Sequence, residues 1–257
     1  MPDIDTCVPH SARIWNYWLG GKDNYEVDQE AGDAYREIAP QVVAMAQESR
    51  KYLIRAVTAL AGELGVRQFL DIGIGLPAND NTHQVAQRID PEAKVVYVDN
   101  DPVVLAHARA LLHATPEGIT ESIEADLHDP EKILDEARGI LEFNQPVALM
   151  LMGILGHIPD DQEAQAIVRH LHAALPSGSY FVHYDGSDTD PELAKAQQGY
   201  NDTGAVPYVL RSPEQIAAFY DGLNILEPGI VSCPLWRPAA GTAPERTDIY
   251  GGVARVP

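Results

Sequence analysis

Cysteine is nearly absent from this chain. Cys7 and Cys233 are the two in 257 residues. A disulfide framework is therefore excluded, and no Cys-x-x-Cys pair is present to hold a metal. Cations are also scarce. Lys and Arg number 18 against 38 Asp and Glu, a formal net charge of −20. Such a surface repels nucleic acid and anionic membranes, so polyanionic partners are not expected. The N-terminus lacks a basic stretch followed by an apolar core, so no signal peptide is expected. No apolar run approaches the length of a membrane span. A cytoplasmic protein is the resulting expectation. With 45% hydrophobic residues, the chain is long enough to bury one sizeable α/β core.

Two apolar runs carry most of the information. Residues 68–75 (QFLDIGIG) end in an acid and a glycine turn, and residues 95–99 (VVYVD) end in another acid, Asp99. Parallel sheets build nucleoside pockets this way. Glycines at the end of the first strand let the backbone approach a ligand, and the acid after the second strand binds ribose hydroxyls. Gly73, Gly75 and Ala78 also satisfy a dinucleotide fingerprint, so an NAD-dependent oxidoreductase is one reading. Asp71 weighs against it. A carboxylate two residues before the first glycine would repel a pyrophosphate, whereas it suits the amino group of a methionine moiety. The acid-x-Gly-x-Gly arrangement is similar to motif I of S-adenosylmethionine-dependent methyltransferases.

Strand patterns at 67–72, 94–99, 119–124, 146–152 and 178–184 alternate with helix patterns at 80–89, 102–113, 130–138, 160–175 and 212–220. The alternation predicts a parallel sheet covered on both faces. Residues 223–231 and 248–255 predict a final hairpin that adds an antiparallel edge strand. Before the sheet, a short helix from Ser11, a second over 28–38 and a long helix over 41–64 are expected. The predicted division is an N-terminal helical cap at 1–64 and a cofactor-binding Rossmann-like domain at 65–257, packed as one unit.

Five pieces of the chain carry a family resemblance. They are residues 12–25 (ARIWNYWLGGKDNY), 50–57 (RKYLIRAV), 68–77 (QFLDIGIGLP), 81–87 (NTHQVAQ) and 96–102 (VYVDNDP). Together they resemble the actinobacterial S-adenosyl methyltransferase family, once known only as a domain of unknown function. The likeness spans nearly the whole chain. It implies a class I methyltransferase fold with a seven-stranded, mostly parallel sheet. It also implies S-adenosylmethionine as cofactor, S-adenosylhomocysteine as product and a small-molecule acceptor.

The resemblance assigns Asp71, Gly73 and Gly75 to the methionine end of the cofactor, with Pro77 where the superfamily has a third glycine. It assigns Asp99 to the ribose and Asp126 with Leu127 to the adenine. Asn100 would lie beside that ring. After the fourth strand, where many methyltransferases place a catalytic acid or asparagine, this chain has Met152 and Gly153. That departure argues against Mg²⁺-assisted O-methylation and leaves their backbone to hold the methionine end. It also lends some support to a cofactor-binding regulator without turnover. His157, just beyond, is a candidate base. Tyr184, a second catalytic candidate, ends the fifth strand with His183 and Asp185; these residues either face the pocket mouth or form an edge of the core followed by a turn at 185–188. His83 reads as a packing group, and the remaining histidines lack ligand spacing. Residues 11–25 concentrate aromatics around Gly20 and Gly21. They are expected to close over the cofactor as a lid, with Tyr17 and Asn24 in contact with it.

Overall fold

The computed structural model describes residues 5–257. Two short helices, α1 (Ser11–Trp18) and α2 (Glu26–Ile38), precede the long α3 (Val42–Thr58), which runs on into a π-helical turn at Ala59–Glu63. Strands and helices then alternate as β1 (Gln68–Ile72), α4 (Thr82–Ile89), β2 (Lys94–Asp99), α5 (Pro102–Leu111), β3 (Ile119–Glu124), α6 (Pro130–Ala137) and β4 (Ala148–Met152). The chain continues through α7 (Asp161–Ala173), β5 (Tyr180–Gly186), α8 (Pro191–Asn201), α9 (Pro213–Ala218), β6 (Asn224–Ile225), β7 (Val231–Ser232) and β8 (Ile249–Arg255).

The sheet order is β3-β2-β1-β4-β5-β8-β6, with β7 also on β8. The pairs β3/β2/β1/β4/β5 are parallel, and β8 is antiparallel to β5. Every residue of β1 and β5 is buried, as a strand covered on both faces requires. Alternate residues feed two cores. Phe69, Val95, Tyr97, Ala148 and Val182 pack under α1, α2 and α3. Leu70, Val96, Leu149, Leu151 and Phe181 pack against α6 and α7. The N-terminal helices thus share one core with the sheet.

Local signals explain most helix starts. Asp101, Asp129, Asp190 and Ser212 each accept from a backbone N–H of the next turn, with a proline in the first helical positions. Asn81 and Gln84 form a reciprocal cap on α4. Among the described residues no helix is long and apolar enough to cross a membrane.

Three features differ from the sequence expectation. Among the described residues the sheet has eight strands rather than seven. The outermost position is split, because β6 pairs with the far end of β8 and β7 with its near end, around the loop holding Pro228. Proline offers no N–H to a ladder, so pairing lapses there. The antiparallel strand is also not at the edge, since β8 lies between β5 and the β6/β7 pair. Finally, α8 was not expected. Of its 11 residues only Leu193, Ala196, Gln197 and Tyr200 are buried, too sparse an apolar stripe to register as a helix pattern.

Candidate functional site

A cavity of ≈ 280 Å³ opens at the carboxyl ends of β1, β2, β4 and β5. The turn after β1 forms its floor. Gly73 (φ +77°) and Gly75 (φ +61°) are both in the left-handed region that favours glycine. They differ in surroundings. A Cβ on Gly73 would come within 2.5 Å of Ile154 Cγ1, whereas a Cβ on Gly75 would meet nothing within 4 Å. Gly73 is small for the sake of packing. At Gly75 the bare backbone borders open space, as close approach to a ligand requires.

Asp71 is the penultimate residue of β1 and is buried. The Thr82 hydroxyl donates to its Oδ2 at 2.6 Å, and Oδ1 makes no hydrogen bond among the described residues. Burial pushes this carboxyl up to about 6, against the opposing pull of Thr82 and the Arg50 guanidinium. Asp99 ends β2. Its Oδ2 accepts from Gly75 N at 3.2 Å and its Oδ1 from Asp101 N at 3.0 Å. Burial again dominates and raises it to about 6.

Arg50, on α3, reaches the same wall. Its terminal nitrogen donates to the Asn79 and Asp80 carbonyls at 2.9 and 3.0 Å. Its Nε is buried without a partner among the described residues. A desolvated, unpaired guanidinium N–H is costly unless an anion arrives to accept from it. Residues 50–57 belong to one of the pieces that carry the family resemblance, but nothing in the sequence near Arg50 indicates that α3 would deliver it to β1. Thr82 and Tyr97 were likewise missed. Tyr97 is buried beside Asp71, and its hydroxyl meets both the N–H and the Nδ1 of His83 at 2.9 Å. His83 therefore supports the wall from behind. Burial lowers it to about 4.

Asn100, Met152, Gly153, His157 and Tyr184 also line the cavity. His157 Nδ1 donates to the Pro207 carbonyl at 2.8 Å, which fixes the tautomer, and Nε2 makes no hydrogen bond among the described residues. Burial lowers this imidazole from its ordinary value, which favours the neutral form. Tyr184 packs over Gly153 and against Tyr52, and burial holds its phenol protonated.

Four other expected contacts lie off the cavity wall. Asp126 accepts from Asn100 Nδ2 at 2.8 Å and so meets the site through that side chain. Leu127 is buried in the core beneath α6 and α7. The Tyr17 hydroxyl donates to Asp33 at 2.8 Å. Asn24 Nδ2 donates to Asn16 Oδ1 at 2.9 Å, and it is Asn16 that lines the cavity.

His183 and Asp185 do not face the pocket mouth with Tyr184. Strand alternation turns His183 away, and its Nδ1 meets the Leu151 carbonyl at 2.8 Å in the opposite core. Asp185 is fully buried. It accepts from the Tyr208 hydroxyl at 2.8 Å, and Arg211 NH1 lies 3.8 Å away. Burial raises it to about 7. The expected turn at 185–188 begins later, because Asp185 and Gly186 still pair with β8. Among the described residues no group of three His, Cys, Asp or Glu could hold a metal ion.

The segment before the sheet covers the opening. Trp15, Asn16, Trp18 and Leu19 line the cavity from α1 and its end. His10 Nε2 meets Asp101 Oδ2 at 3.1 Å, joining the start of α1 to the start of α5.

A parallel sheet with one antiparallel strand near its end, glycines after β1 and an acid ending β2 define a class I methyltransferase. The chain belongs to the S-adenosyl methyltransferase family, whose model matches residues 1–257. Its cofactor is S-adenosylmethionine. A DUF574 family protein from Streptomyces avermitilis is similar to it at 44% identity, with a TM-score of 0.94 over 99% of this chain and 100% of that one. A candidate methyltransferase from Thermobifida fusca is 38% identical, with a TM-score of 0.92 over 99% and 97% of the two chains. The N-methyltransferase NodS from Bradyrhizobium japonicum, in complex with S-adenosyl-L-homocysteine, shares the fold at 13% identity. Its TM-score is 0.50 over 83% of this chain and 88% of that one. No curated protein matches the chain.

Proposed function

We propose that this methyltransferase acts on a small-molecule acceptor and holds the methionine end of its cofactor between Asp71 and Arg50. One observation carries the placement: a single cavity wall presents Asp71, Arg50 and Asp99 around an open left-handed Gly75, and the Arg50 Nε has no partner among the described residues. The pattern of charges matches a zwitterion. Asp71 Oδ1 accepts from the ammonium, and Arg50 Nε donates to the carboxylate. Asp99 accepts from the ribose hydroxyls, and its present partner, Gly75 N–H, lies at a long 3.2 Å. Asn100, braced by Asp126, borders the adenine, with Leu127 behind it. The backbone at Met152 and Gly153 closes the methionine end. Tyr17 and Asn24 act from behind the wall, Asn24 through Asn16.

When bound, S-adenosylmethionine supplies an electrophilic methyl group on a sulfonium. The protein's part is placement, exclusion of water and management of one proton. The covering α1 shields the site. His157, whose neutral form burial favours and whose Nδ1 is held by its hydrogen bond, takes at Nε2 the proton that the acceptor hydroxyl or amine loses. Tyr184 stays protonated and contributes a hydrogen bond rather than a base.

Calorimetry with S-adenosylhomocysteine tests this arrangement. The wild type should bind it and show no heat with NAD. Arg50→Met should bind it roughly tenfold or more weakly, as loss of a charged hydrogen-bond donor implies. Wild-type affinity in Arg50→Met would remove Arg50 from the site. Binding of NAD in place of S-adenosylhomocysteine would overturn the whole assignment.

A further inference from the structure

Opposite Asp71 and Asp99, the cavity changes character. Its far wall is built by α1, α2, α8 and the segment at 206–210, which crosses the ends of β4 and β5. Trp15, Trp18, Tyr35 and Tyr200 form a continuous run of rings there. Successive centroids are 5.8, 5.0 and 6.3 Å apart, in edge and tilted arrangements. The polar ends of the inner rings are already occupied. Trp18 Nε1 donates to the Gly32 carbonyl at 3.1 Å, and the Tyr35 hydroxyl donates to Gln197 at 3.2 Å. What remains for a ligand is largely ring carbon.

We propose, resting on the methyltransferase reading above, that the acceptor is a planar aromatic molecule with no anionic substituent, received by the Trp15–Trp18–Tyr35–Tyr200 wall. Aromatic pairs add specific edge and offset-stacking energy beyond area burial, so a flat ring gains what a saturated ring of equal size does not. Charge sets the second criterion. The basic side chains lining the cavity are His10, Arg50 and His157. His10 is paired with Asp101. Arg50 lies beside Asp71, its terminal nitrogen held by the Asn79 and Asp80 carbonyls and its Nε assigned above to the cofactor's own carboxylate. Burial favours the neutral form of His157. A carboxylate or phosphate on the acceptor would meet no free cation among the described residues, and it would be buried in a cavity that also holds Asp71, Asp99 and Asp101. The net charge of −20 acts in the same direction. The methyl-accepting hydroxyl or amine points back toward His157, and Val206 and Leu210 close over the ring.

Three probes of similar size test this on wild-type protein saturated with S-adenosylhomocysteine: 2-naphthol, decahydro-2-naphthol and 2-naphthoate. Calorimetry should show 2-naphthol binding at least fivefold tighter than either of the others, the low end of what two aromatic contacts supply. Tyr200→Leu should narrow the gap between 2-naphthol and its saturated analogue. Retained S-adenosylhomocysteine binding in that variant shows that it is folded. If decahydro-2-naphthol or 2-naphthoate bound as tightly as 2-naphthol, or if none bound, the aromatic acceptor would be refuted while the cofactor site stood. If the wild type failed to bind S-adenosylhomocysteine at all, the methyltransferase reading would fall first and the acceptor with it.

Discussion

The raised carboxyl of Asp71 gives the cofactor site a calculable pH dependence. Burial pushes both Asp71 and Asp99 to about 6. The ammonium needs Asp71 ionised, and the ribose binds an ionised Asp99 best. At pH 5 each acid is about 9% ionised and at pH 7 about 90%, so each contributes roughly a tenfold gain in affinity between those values. S-adenosylhomocysteine should therefore bind the wild type between about tenfold and about a hundredfold more tightly at pH 7 than at pH 5. Asp71→Asn should lose about 1.5–3 kcal/mol at pH 7 and keep only the tenfold slope that Asp99 supplies. Stability of the ligand-free protein moves the other way. A carboxyl whose folded value lies above its unfolded value binds more protons when folded, so its contribution is lost as pH rises from about 4 to about 6. Asp71→Asn cannot ionise, so its melting temperature relative to wild type should climb across that window. Calorimetry at closely spaced pH values and parallel thermal melts measure both trends. An identical pH slope in wild type and Asp71→Asn would refute a role for Asp71 in holding the ammonium.

Asp99→Ala should weaken S-adenosylhomocysteine by about 1.5–3 kcal/mol and Asp99→Asn by less, since an amide oxygen still accepts. Equal binding by all three proteins would reduce Asp99 to a strand-end acid that caps the turn. Gly73→Ala should destabilise by about 1–3 kcal/mol in urea unfolding, because its Cβ would press on Ile154 at a φ of +77°. An unchanged midpoint would mean that the turn relaxes freely. Amides 11–25 should exchange more slowly with S-adenosylhomocysteine bound, as expected of a cover over the cofactor. Equal protection in both states would leave α1 as fixed packing, a role already evident in the complete burial of Ile14.

Legibility in the sequence followed the range of the forces involved. The strand ends at Asp71 and Asp99 and the glycine turn between them could be read directly, because a turn, a cap and a buried strand are set by residues within a few positions of one another. The proline-marked starts of α5 and α6 could be read for the same reason. The same signal stands at Asp190 and Pro191, yet α8 went unseen, since its few buried residues gain their cover from α2 and not from a stripe of their own. The place of β8 between β5 and the split outer strand depends on which edges remained to be paired.

The sequence by itself determined the alternation of strands and helices from β1 to β5, the glycine turn after β1 and the acids Asp71 and Asp99 beside it. Tertiary structure alone decided that Arg50 leaves its Nε unpaired, among the described residues, on the wall that carries Asp71 and that Tyr208 buries Asp185. It also decided that rings from α1, α2 and α8 meet as one surface. These groups lie tens of residues apart or more, and no local propensity encodes their meeting. They come together because separate helices and loops must cover one sheet.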